Sequence, residues 1–198
     1  MTSGPRIAAV VLAAGDSRRM GQPKALLRTP SGTFLERVVA LAQAVPLEPV
    51  RVVVGRDGPT ICAALPALAP LCIHNPEPEL GQLHSLRLAL ASLPAASQGA
   101  AVLLVDHPFV RAETIAALVA AFHATGRPIV VPSYQGQRGH PVLFARCVWE
   151  ELARAPLEVG ARAVVASNAS RVLEVAVEDA GILADIDTPE AFRQWVGV

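Results

Sequence analysis

Unbroken apolar runs of strand length alternate along the chain with stretches whose apolar positions recur at helical spacing. The first pattern belongs to strands buried on both faces, the second to helices packed on one side. Residues 6–12 read as a fully buried strand. Residues 33–45 read as a helix: Phe34, Leu35, Val38, Leu41, Ala42 and Val45 share a face, and Thr33 with Glu36 forms a capping box at its start. Further strands are expected at 50–54, 71–74, 100–105, 129–132, 141–144 and 172–177. Further helices are expected at 60–68 (interrupted by Pro66), 83–93, 111–124, 147–154, 160–167 and 188–196. The last has Thr188 as its cap and Pro189 at its first position. Residues 75–81 form a proline-rich loop and 134–139 a polar turn.

Strand–helix alternation through the first two thirds predicts an α/β architecture, a mostly parallel sheet with helices on both faces. Ligands on such sheets sit at the carboxyl ends of the strands. That rule directs attention to the segments after Leu12, His74 and Val105. No internal repeat, low-complexity tract or long linker interrupts the pattern, so one domain over 1–198 is expected.

Composition narrows the picture. Of 198 residues, 52% are hydrophobic, ample for a core that needs neither disulfides nor a structural metal. Lys and Arg total 17, as do Asp and Glu, giving zero net charge. That balance argues against a nucleic-acid or anionic-membrane binder, though not against a local basic pocket. Cys62, Cys72 and Cys147 have no metal-ligand spacing and read as buried small apolar residues in a reducing, cytoplasmic protein. No apolar run approaches the ~18 residues of a membrane span. Residues 7–14 have only Arg6 before them and lead into Asp16, Arg18 and Arg19, as a strand entering a polar loop does rather than a signal-peptide core.

That loop carries the chemistry. Small residues Ala13, Ala14 and Gly15 follow Leu12 and let a ligand approach the backbone. Successive amides there can form an anion-binding concavity. Ser17 adds a hydroxyl, Arg19 a bidentate guanidinium and Lys24 a mobile point charge. The set suits a triphosphate whose leaving pyrophosphate gathers charge. It is neither a Walker A loop nor a GxGxxG dinucleotide fingerprint. The segment resembles the LAAGxSxRMGxxK signature of the MobA-like nucleotidyltransferases, filling it with Leu12, Ala13, Ala14, Gly15, Ser17, Arg19, Met20, Gly21 and Lys24. It is most similar to the branch that includes the molybdenum cofactor cytidylyltransferases. The resemblance implies a three-layer α/β/α sandwich of the nucleotide-diphospho-sugar transferase type.

Asp106 stands just past an apolar strand, and Asp185 and Asp187 point the same way if their segment is extended. Magnesium is commonly held by one or two carboxylates plus substrate phosphates. A turn Asp before Pro108 and an acidic helix cap are the plainer readings of these residues. The resemblance selects Asp106 and Asp187 as ligands of the Mg2+ that bridges the triphosphate. His107 replaces the Gln or Met frequent in that family and is expected behind the ligands of the ion or facing solvent, not as a ligand itself. Gly81 and Ser85 match an element that closes over base and ribose. Residues 136–144 resemble the family's G-x-x-G-HPVLF element, so Arg138 and His140 are expected on the acceptor, with an exposed hairpin as the alternative. Leu157-Glu158 stands where the family often has Gly-Asp before Gly-Ala-Arg, which puts acceptor identity in doubt.

The implied activity is transfer of a nucleoside monophosphate to a phosphorylated acceptor, molybdopterin by resemblance, with release of pyrophosphate. Arg19, Lys24 and Asp106 would be catalytic. Ala14 in place of a glycine favours the smaller base, hence CTP over GTP. The alternatives are a guanylyltransferase, a sugar- or polyol-phosphate nucleotidyltransferase, and a non-catalytic nucleotide-binding accessory protein. Expected partners are these small molecules and, transiently, a molybdoenzyme or its chaperone.

Overall fold

The computed structural model describes residues 6–15, 20–167 and 169–197. Strand β1 (Arg6–Ala13) is buried from Ile7 onward. Its alternate side chains serve two cores: Ile7, Ala9, Val11 and Ala13 face one, Ala8, Val10 and Leu12 the other. A short ribbon, β2 (Arg28–Thr29) and β3 (Gly32–Thr33), precedes helix α1 (Phe34–Gln43). The capping box is present: Thr33 N donates to Glu36 Oε2 at 2.7 Å and Glu36 N to Thr33 Oγ1 at 3.3 Å.

Strand β4 (Leu47–Val54) starts earlier than its apolar run suggests. Ile7 pairs with Leu47 and Ala9 with Val50, so β4 carries an extra residue there and Pro49 sits in the bulge, where a missing amide does least harm. Helix α2 (Gly58–Ala64) stops short of the expected 60–68 span. Leu65, at φ −127° and ψ 66°, has left the helical region because Pro66 follows it.

Next come β5 (Cys72–His74), α3 (Gln82–Ser92), β6 (Ser97–Leu104) and α4 (Ala112–Thr125), the last ended by left-handed Gly126. Strands β7 (Ile129–Tyr134) and β8 (Gln137–Arg138) form a hairpin in place of the plain turn expected at 134–139. Gln135 and Gly136 both take positive φ, as a two-residue hairpin turn with right-handed strand twist requires. Then follow β9 (Val142–Ala145), α5 (Trp149–Arg154), α6 (Arg162–Ser167), β10 (Val172–Ala176) and α7 (Pro189–Val196). Thr188 caps α7 by accepting from Ala191 N at 3.2 Å.

The main sheet runs β10-β7-β9-β6-β1-β4-β5, with β8 at the side of β7. Strands β6, β1, β4 and β5 are mutually parallel; β9 runs against both its neighbours. One core packs α1, α2 and α4 on the sheet, and the other packs α3, α5 and α6. The cysteines are less buried than their chemistry suggests: Cys62 and Cys72 are half-buried and Cys147 is exposed.

Candidate active site

The parallel half of the sheet ends in a cleft lined by Ala13, Ala14, Gly15, Lys24, Asp57, Gly81, Gln82, Ser85 and Asp106, with Leu12 at its floor. Ser17 and Arg19 lie outside the described residues. The cleft walls are held close. A Cβ on Gly55 would stand 2.7 Å from the Ala14 carbonyl oxygen and 3.2 Å from Pro78 Cβ, so only glycine lets β4 end against the loop. Gly81 opens α3 at φ +90°. Ser85 is buried, its hydroxyl accepting from Asn75 Nδ2 at 2.9 Å, while Asn75 N donates to the Val54 carbonyl at 2.8 Å. Asn75, unassigned from sequence, thus ties α3 to the end of β4.

The carboxylates meet here. Val105 N donates to the Leu12 carbonyl at 3.1 Å, which carries Asp106 to the mouth beside the loop. Ile186 N donates to the Asp106 carbonyl at 2.9 Å, which draws in the C-terminal segment. The Lys24 Nζ donates to Asp106 Oδ2 at 3.1 Å and also to Asp187 Oδ1. Burial alone would lower the Lys24 pKa, but Asp106 and Asp187 outweigh it and hold the amine charged, above its ordinary 10.5. Asp185 has its pKa raised by burial, then by the neighbouring charges of Asp106 and Asp187.

A second cavity, of about 680 Å³, opens over the antiparallel half and shares Leu12 and Gln82 with the first. Leu86, Val102, Val131, Val142 and Phe144 give it an apolar floor; Arg138, His140 and Arg162 stand on its wall with Leu157 and Glu158. The guanidinium of Arg138 is engaged by Glu174, with Nε 2.8 Å from Oε1. His107 is buried, not solvent-facing, and its ring lies 5.3 Å from that of His140. Burial, then the nearby His107, pushes His140 down to about 4 against the opposing pull of Asp106. Its imidazole is therefore neutral at physiological pH.

One buried carboxylate, in the lining of neither cleft, escaped the sequence reading. Asp179 accepts from Arg111 N at 2.9 Å, Thr114 Oγ1 at 2.6 Å and Gly181 N at 2.9 Å. It fixes the turn at Ala180–Leu183, whose Ile182 carbonyl accepts from His140 N at 3.0 Å. Gly139 and Gly181 permit this packing: a Cβ would stand 2.3 Å from the Ile182 oxygen at the first and 2.2 Å from the Phe109 oxygen at the second.

The cleft lies at the carboxyl ends of parallel strands, with two carboxylates and a lysine meeting at its mouth, where ligands of open α/β sheets bind. The model of the MobA-like NTP transferase domain matches residues 9–172, and the chain belongs to that family of nucleotidyltransferases. It is 31% identical over 197 residues to a probable molybdenum cofactor guanylyltransferase of Mycobacterium marinum, covering 92% of this chain and 89% of that protein. The crystal structure of Rv0371c from Mycobacterium tuberculosis H37Rv superposes with a TM-score of 0.88 at 30% identity, covering all of both chains. A manganese complex of Rv0371c gives 0.83 at 29% identity over 97% of this chain and 98% of that one. The fold is that of the nucleotide-diphospho-sugar transferases. Among the described residues, no helix is long and apolar enough to cross a membrane.

Proposed function

We propose that this chain transfers a nucleoside monophosphate, GMP in the first instance, from its triphosphate to the phosphate of molybdopterin. The observation that carries the proposal is one ammonium, Lys24, shared by two carboxylates 81 residues apart in sequence (106 and 187) at the mouth of the cleft. Two groups that share one cation are within reach of a divalent ion, and their all-oxygen donor set fits Mg2+. Asp106 and Asp187 would hold that ion, which supplies charge neutralisation at the phosphates. The manganese complex of Rv0371c supports a divalent cofactor.

The chain's own groups do the rest. Amides of 13–15 face the phosphates, and Lys24 and Arg19 neutralise charge gathering on the leaving pyrophosphate. A phosphate oxygen of the acceptor attacks the α-phosphorus as the α–β bridging bond breaks. That oxygen is already anionic, so no general base is needed, and positioning dominates. The apolar second cavity, with Arg138 and His140 on its wall, receives the acceptor.

The names of the curated relatives favour guanine. Cytosine is the second reading because the Ala14 carbonyl is pressed against Gly55, so the loop has no room to withdraw and the Ala14 methyl narrows the cleft. Pyrophosphate release measured with the four triphosphates, with and without molybdopterin, tests both. Turnover with GTP and molybdopterin is expected; turnover with CTP alone replaces the base assignment. Turnover only with sugar or polyol phosphates would overturn the acceptor, and nucleotide binding with no turnover would make the chain an accessory protein.

A further inference from the structure

The transfer chemistry leaves His107 and Asp185 unused, yet the fold brings both to Asp106. A ring nitrogen of His107, a carboxylate oxygen of Asp106 and one of Asp185 all lie within 4.8 Å of one another. His107 is only 8% exposed, and its buried Nδ1 has no hydrogen-bond partner among the described residues. A buried polar atom left without a partner is costly unless something fills that role. The neighbouring ring does not: His140 Nδ1 is buried and equally unpartnered. The backbone fixes the trio. His107 N donates to the Leu104 carbonyl at 3.1 Å, and Ile186 N, next to Asp185, donates to the Asp106 carbonyl at 2.9 Å.

We infer that Asp106, His107 and Asp185 form a site for a divalent first-row transition ion, distinct in its nitrogen donor from the all-oxygen Asp106–Asp187 pair. Imidazole suits transition ions, whereas Mg2+ is held by oxygen ligands and keeps its waters. One nitrogen beside two carboxylates therefore selects a transition ion against Mg2+. Sharing Asp106 places this ion at the edge of the nucleotide cleft, yet its binding requires neither nucleotide nor turnover.

The test uses the full-length, nucleotide-free protein with Mn2+ as probe, because Mn2+ has little affinity for the three thiols and is read by electron paramagnetic resonance. Saturable binding of one Mn2+ per chain is expected, at least tenfold tighter than Mg2+ by competition. Spin-echo modulation should show a directly bound 14N. H107Q should abolish the 14N signal and weaken Mn2+ at least tenfold while leaving Mg2+ affinity unchanged; D185N should weaken Mn2+ by a similar factor. Absence of saturable binding, Mn2+ bound without the nitrogen signal, or unchanged affinity in either variant would overturn the site. The wild-type nitrogen signal decides the matter even if a variant fails to fold. Pyrophosphate release, measured separately, reports the transfer reaction and can fail or succeed independently.

Discussion

The cleft over the parallel strands is walled by backbone and charge, whereas the one over β9 has a floor of Leu86, Val102, Val142 and Phe144 with its charges confined to the wall. They touch at Leu12 and Gln82. The contrast follows from strand direction. Parallel strands β1, β4 and β6 all end at one edge, so their loops converge and their amides and carboxylates meet there. The reversed strand β9 brings no such loop end to that edge and offers its face instead. Triphosphate recognition depends on convergent polar groups; a ring system needs an apolar surface with few polar anchors.

The strongest way to break this contrast is at the charged cleft. Lys24→Ala and Asp106→Ala should each lower kcat by about 10³-fold, the scale of losing a group that stabilises developing charge. Melting points should stay close to wild type, which thermal denaturation checks alongside pyrophosphate release. Near-normal turnover in either variant would remove the charged cleft from the chemistry.

Asp179 fixes the turn that receives His140 N and leads on to Asp187, so Asp179→Ala should blur the distinction. Three donors lose a buried carboxylate, which should cost about 3 kcal/mol. For a domain of this size that lowers Tm by roughly 6–12 °C. KM for nucleotide and for acceptor should rise together, because the turn it fixes reaches His140 on one side and leads to Asp187 on the other.

Ala166→Trp sharpens the contrast from the other direction. Ala166 is exposed on the second cavity, so an indole there should narrow the cavity without disturbing the core. Acceptor KM should rise about tenfold, near the value of 1.4 kcal/mol in binding, with nucleotide KM unchanged. Equal effects on both KM values would mean that the two clefts bind one ligand.

The smallest effect concerns His140. Its folded pKa of about 4 lies below the ordinary 6.5, so between those values the unfolded chain binds a proton that the folded chain does not. Its contribution to stability is therefore fully present above about pH 6.5 and is lost as the pH falls toward 4. His140→Gln should lose roughly 4–7 °C less than wild type between pH 7 and pH 5, measured as the difference in Tm. Parallel pH profiles for the two proteins would show that His140 is not held neutral by the fold.

Features written into neighbouring residues were legible in the sequence. The Thr33–Glu36 capping box, the Thr188 cap and the α4 helix are local, and each stands where its residues imply. The glycine loop and Asp106 were legible as the end of an apolar run meeting small or charged residues. What lay between distant segments was not. Nothing near Asp179 announces that Arg111, Thr114 and Gly181 converge on it. The bulge at Pro49 depends on the register with β1, and the β7–β8 hairpin on a turn in which Gln135, not glycine, takes a positive φ. The buried setting of His107 likewise comes from a partner thirty-three residues on, His140.

The shared ammonium of Lys24 has a further consequence. The two carboxylates at the mouth already have a positive occupant, so under the proposed function a nucleotide that brings its own metal would exchange one cation for another. Phosphates arriving without a metal would draw the lysine toward themselves and take one cation away from Asp106 and Asp187. With the metal held there as proposed, the resting ion pair would favour the metal-loaded triphosphate over the bare one.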